Sequence, residues 1–192
     1  MKYLIALVLT FFALSGFVEA EESPSLLFSG GIQSLIWNRD NFYIDYSDQV
    51  TDGCLPQPAR MKDSMELVLR QNGFSISSED SPFTNTIFIT ALGYSLGSGS
   101  CVVTLKAKLL FVADVSVPYS QSLEEESLTF IKIPYNFGDV ILSGNKSSMQ
   151  RRVENSIKEF GETIYLDISR ARDAVSEKFP AIIQYYNSQS DS

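Results

Sequence analysis

"GYSLGSGSCVVTLKAKLLFVADV", Gly93 to Val115, is the stretch whose reading decides the fold. A glycine-rich loop after a strand cradles a phosphate when a helix follows it, because the helix start supplies free amides. It is a hairpin when a second strand follows. Here Val103, Leu105, Ala107, Leu109 and Phe111 share one side, while Thr104, Lys106 and Lys108 share the other. That period of two is a strand with one apolar and one wetted face, as in an antiparallel sheet. The phosphate-loop pattern also needs a lysine that neither Gly93 nor Gly97 leads to. The dinucleotide fingerprint needs a glycine where Val102 stands. Gly93–Cys101 therefore reads as a hairpin connection, and Cys101 opens its return strand.

The strand before it, "TIFITAL" (Thr86–Leu92), is apolar on both sides and reads as central in a sheet. "NFYIDYSD" (Asn41–Asp48) alternates Phe42, Ile44 and Tyr46 against Tyr43, Asp45 and Ser47, again strand periodicity. "TDGCLPQP" (Thr51–Pro58) carries turn chemistry. From Ala59 to Asn72, Met61, Met65, Val68 and Leu69 fall on one helical face, and Asn72-Gly73 is a stop signal. "FSIS" after it is a short strand. "SLTFIKIP" (Ser127–Pro134) reads as another strand, which Pro134 ends or marks as an edge. Residues 116–126 form a polar connection, and "LLFSGGIQSLIW" (Leu26–Trp37) reads as an N-terminal strand or short helix.

The last third is helical. Ser147 and Gln150 fit a capping box. Apolar residues then recur at Met149, Val153, Ile157, Phe160, Ile164, Ile168, Ala171 and Val175, one stripe sustained over several turns. A helix from Ser148 to Lys178 would be about 45 Å long. One reading lays this stripe across the sheet. The other lets the helix project and offers Met149, Val153, Ile157, Phe160, Ile164 and Ile168 to a partner protein. Wet-faced strands with one short and one long amphipathic helix predict an α+β two-layer sandwich with a mainly antiparallel sheet.

Residues 1–20, "MKYLIALVLTFFALSGFVEA", have the layout of a secretory signal peptide: one lysine, an apolar run, then a small residue, Ala20, before the cut with Val18 two residues earlier. The expected organisation is a leader at 1–20, a single domain at 21–185 and a disordered tail at 186–192. No later segment is apolar and long enough to span a bilayer. In an exported chain, two cysteines and no histidine favour a Cys54–Cys101 disulfide over a zinc site.

The same absence of histidine excludes Ser–His–Asp and Cys–His catalysis. Asp40, Asp45, Asp48 and Asp52 could supply a carboxylate pair or a calcium loop, but their spacing matches neither pattern. "SGNK" (Ser143–Lys146) matches the Ser-x-x-Lys of serine acyl-enzymes without their S-D-N and K-T-G elements. Asn145-Lys146-Ser147 is a glycosylation sequon, relevant only in a eukaryote. A formal charge of −8 argues against nucleic acid as a partner and against anionic lipid surfaces. The expectation is an exported protein, periplasmic or extracellular. It is non-enzymatic, needs no metal or cofactor, and works in binding or envelope assembly through contacts with another envelope protein. A carrier of a small apolar ligand held between helix and sheet is the alternative, and a carboxylate- or serine-based hydrolase the third.

Overall fold

The computed structural model describes residues 35–97, 99–115 and 129–184. In chain order the elements are β1 (Asn41–Val50), α1 (Arg60–Gln71), β2 (Ser75–Ile76), β3 (Asn85–Ser95), β4 (Ser100–Val115), β5 (Thr129–Asn145) and α2 (Lys146–Lys178). The strands form one sheet in the order β2-β1-β3-β4-β5. β3, β4 and β5 pair antiparallel, whereas β1 runs parallel to both β2 and β3. The fold is thus α+β with a mixed, mostly antiparallel sheet. The parallel pair exists because α1 carries the chain back between β1 and β3, as a crossover must. The stretch Leu26–Ser34, the 116–126 connection and the 186–192 tail lie outside the described residues, as does the leader.

Both helices cover one face of the sheet. Ile87, Ile89, Ala91, Val103, Leu105, Leu109 and Phe111 point into that layer and are fully buried, together with Met61, Met65 and Leu69 of α1. The stripe along α2, from Met149 to Val175, is buried throughout. The buried residues form one continuous core, so this is helix-on-sheet packing with the second sheet face left outside.

β5 departs from its expected length. It passes through Pro134 and continues to Asn145. Pro134 is tolerated because β5 is an edge strand and needs no ladder donor on its outer side. The continuation escapes a period-two reading because of a bulge. Lys108 pairs with Asn136 and Ala107 with Gly138, which leaves Phe137 as the extra residue. Before the bulge the inward positions are odd (Ile133, Tyr135, Phe137); after it they are even (Gly138, Val140, Leu142). Gly138 also admits the helix. A Cβ there would lie 2.5 Å from Cγ of Phe160, so the ring rests directly on the strand backbone.

The expected capping box does not form. α2 begins at Lys146 with Asn145 as its N-cap residue, and no side chain caps it. The amide of Gln150 is engaged elsewhere. Its Oε1 accepts from the Gln57 N–H at 3.1 Å, its Nε2 donates to the Gln57 carbonyl at 3.1 Å, and it also reaches Glu154. That clasp, with the Arg60–Glu154 ion pair at 3.2 Å, fastens the 51–59 turn and the start of α1 to α2.

Candidate functional site

The hairpin at Gly93–Cys101 forms as a strand connection. Gly97 and Gly99 have φ of +81° and +79°, the left-handed region that glycine enters without a Cβ penalty. Leu96 N–H donates to the Ser100 carbonyl and Ser100 N–H to that of Gly97. The Gly99 carbonyl accepts from the N–H of Lys146 at 2.8 Å, which ties the tip to the start of α2. Cys101 is bonded to Cys54 with a Cα–Cα distance of 5.9 Å, and both are fully buried. The disulfide therefore pins the 51–59 turn to the base of the hairpin. A bond of this kind persists in oxidising compartments, which fits an exported protein. Among the described residues no helix is long and apolar enough to cross a membrane.

One expected surface is corrected. Met149, Val153, Ile157, Phe160, Ile164 and Ile168 are all buried in the chain's own core, packed with α1 and the inner face of the sheet. They offer nothing to a partner. Between helix and sheet, where a carried ligand would sit, the Phe160 ring rests directly on the backbone at Gly138.

The residues weighed for catalysis have local backbone roles. Asp45 accepts from the N–H of Tyr46 at 2.8 Å, and Asp48 from that of Val50 at 2.9 Å. Asp52 accepts from the Thr51 hydroxyl and the Ser95 N–H. Ser143 lies exposed on β5, and its carbonyl accepts from Arg152. Lys146 packs beside Gly53, with its side-chain end 3.3 Å from where a Cβ would stand. Among the described residues no three His, Cys, Asp or Glu side chains converge as a metal site.

The aspartates do something else. β2 pairs with β1 only at Asn41 and Phe42, and among the described residues no other strand pairs with that edge. The Phe42 carbonyl accepts from the N–H of Ser77, just after β2, and Thr51 N–H donates to the Gly93 carbonyl of β3. Since successive residues of a strand aim their amides at opposite neighbours, the even residues of β1 face that outer edge. Those are the positions of the Tyr46 and Val50 amides that Asp45 and Asp48 occupy. The edge is blunted against strand addition, and Pro134 with the Phe137 bulge does the same for β5.

What remains is the outer face of the sheet. Leu92 and Tyr94 point outward from β3, and Leu96 continues their side onto the hairpin. Leu92 is opposite Thr104, which is opposite Ile141 of β5. Their exposures are 54 % for Leu92, 55 % for Tyr94, 58 % for Leu96 and 70 % for Ile141. Lys106 borders this group through an exposed pair with Asp139 at 3.4 Å. Large contiguous apolar patches mark interaction surfaces; here four exposed apolar side chains share one face of the sheet near the hairpin, with Thr104 between Leu92 and Ile141.

No protein-family model matches the chain, and no curated protein matches it by sequence. Among solved structures it is similar to a minor lipoprotein from Acinetobacter baumannii. That match has 11 % identity and a TM-score of 0.38, covering 69 % of this chain and 92 % of that one.

The sequence reading missed Leu92, Tyr94, Leu96 and Ile141 as surface residues. The signal was present for three of them. In "TIFITALGYSL" the inward set Ile87, Ile89 and Ala91 already fills one face, so the alternate Leu92, Tyr94 and Leu96 must face out. Ile141 was hidden by the bulge.

Proposed function

We propose that this chain is an exported, non-enzymatic protein of the bacterial periplasm that acts by docking through the hairpin end of its outer sheet face. The observation that carries the reading is the exposed group Leu92, Tyr94, Leu96 and Ile141 on a disulfide-pinned platform. Elimination supports it. The stripe of α2 is buried, both sheet edges are blunted and the Phe160 ring rests on the sheet at Gly138. A photo-crosslinking residue placed at Tyr94, and a matching one at the exposed Leu166 of α2, test it in intact cells. Adducts from position 94 and none from 166 are expected. Equal labelling from the two positions, or none from 94, would refute the reading.

A further inference from the structure

We infer that the surface this end of the sheet docks on is an anionic lipid bilayer, entered tip first by the hairpin. The inference rests on the docking reading above and adds its partner.

The apolar side chains lead the molecule. Leu92, Tyr94 and Leu96 lie in line along one side of the hairpin, spanning about 14 Å at ~3.4 Å per residue. Interfacial elements bury their apolar side about 5–10 Å into the headgroup and acyl boundary. Entry to that depth immerses Leu96 and the ring of Tyr94, and it holds Leu92 and neighbouring Lys106 at headgroup level. A tyrosine suits that level because its ring is apolar and its hydroxyl is wet. A protein interface of standard size needs about 800 Å² per partner with a packed core. A narrow row of side chains converging on a loop tip matches insertion better.

Charge complements the lipid. The first eight residues of α2, Lys146 to Val153, include Lys146, Arg151 and Arg152 and no acid. All three are exposed and enter no ion pair among the described residues. The Lys146 N–H bond to Gly99 and the Arg152 bond to the Ser143 carbonyl fix their backbone or head beside the tip. Asp52, bonded to the Ser95 N–H, is an acid at the same end. The chain's net charge of −8 does not oppose this approach as a whole. Glu79 and Asp80 precede the far end of β3, about 35 Å away at ~3.3 Å per residue. Screening at 0.1 M salt acts over about 10 Å, so the membrane meets the charges nearest the tip: Lys146 and Arg152 with Asp52, and behind them the Lys106–Asp139 pair.

The test is co-sedimentation of the disulfide-intact chain, without residues 1–20, with vesicles of phosphatidylcholine alone or with phosphatidylglycerol added. Binding to the anionic vesicles that fades as salt rises is expected. Lys146→Gln with Arg152→Gln should weaken it about thirtyfold, taking ~1 kcal/mol per cation near an anionic surface. Leu96→Asp should weaken it about tenfold or more, while Leu166→Asp on the far face leaves it unchanged. Circular dichroism confirms that each variant is folded. Failure to sediment with either vesicle, or sedimentation that Leu96→Asp leaves intact, overturns the lipid partner. If vesicles fail while Tyr94 crosslinks a protein in cells, the docking reading stands and the lipid inference falls. If both fail, both fall.

Discussion

Gly138→Ala tests the packing that positions the whole helix layer. An added Cβ would stand 2.5 Å from Cγ of Phe160 and 2.6 Å from Cδ1 and Cδ2. Carbon atoms in contact prefer about 3.5–4.0 Å, so ring and strand must part by about 1 Å. Overpacking of this kind costs about 1–3 kcal/mol. Replacing glycine in a strand returns about 0.5–1 kcal/mol of chain entropy. The net expectation is a loss of about 1–2 kcal/mol. Phe160→Ala alone should cost about 3–5 kcal/mol. In that background the sign reverses: the new methyl enters vacated space and contributes about 0.8 kcal/mol of burial, with the entropy gain added. The two substitutions should therefore couple by about 2–4 kcal/mol, far outside the ~0.5 kcal/mol within which independent sites add. Urea unfolding measures this directly, because Trp37 is the chain's single tryptophan and is buried. Unchanged m-values would show that the unfolded states are comparable. If Gly138→Ala costs the same in both backgrounds, the ring does not rest on that backbone and the reasoning fails. Phe160→Leu gives a milder second background should the alanine variant be too unstable to measure.

Two further outcomes follow from the covalent tie and from the strand edge. Cys54 and Cys101 are 47 residues apart; closing that loop should contribute about 4 kcal/mol in the chain-entropy model. Urea unfolding of Cys54→Ala with Cys101→Ala measures it, and a loss under about 1 kcal/mol would contradict the model. Asp45→Ala with Asp48→Ala frees the Tyr46 and Val50 amides on the outer edge of β1. Its stability should change by less than about 1 kcal/mol, while light scattering should detect association that grows with concentration. A variant as monodisperse as the parent would show that the aspartates do not guard the edge.

The layered fold was legible because its elements obey simple periods. β4 alternates cleanly from Cys101 to Phe111, and α2 keeps one stripe from Met149 to Val175. The cysteine pair was legible from composition and export context. Three features were not. The second half of β5 hides behind the inserted Phe137, since a period-two pattern that changes phase looks like no pattern. The parallel direction of β1 depends on where α1 returns the chain, and no local residue records that. The exposed apolar face is hard to see because "TIFITAL" is apolar on both sides and reads as a central strand. Thr90 and Leu92 face outward, and no element described in the fold covers them. A long amphipathic helix drew the partner surface to itself, although an apolar stripe of that width is what a sheet of this size needs for cover.

The same bulge that hid β5 also explains why the surface patch exists. Were the same sequence to pair without the bulge, with Phe137 opposite Ala107, Ile141 would take the inward parity of Ile133 and Tyr135 and be buried under α2. With it, Leu142 turns inward and Ile141 turns out beside Thr104 and Leu92. Gly138, immediately after the inserted Phe137, lets Phe160 approach, so the helix still closes over the strand after the change of phase. The bulged pairing therefore keeps the isoleucine outward without opening the core. A bulge in an edge strand also interrupts its ladder, which disfavours strand addition at that edge. The core, the edge and the exposed patch are coupled through Phe137 and Gly138: deleting Phe137 should remove the bulge while leaving Ile141 outward and Leu142 inward, because Asn136 and Gly138 already pair with successive residues of β4.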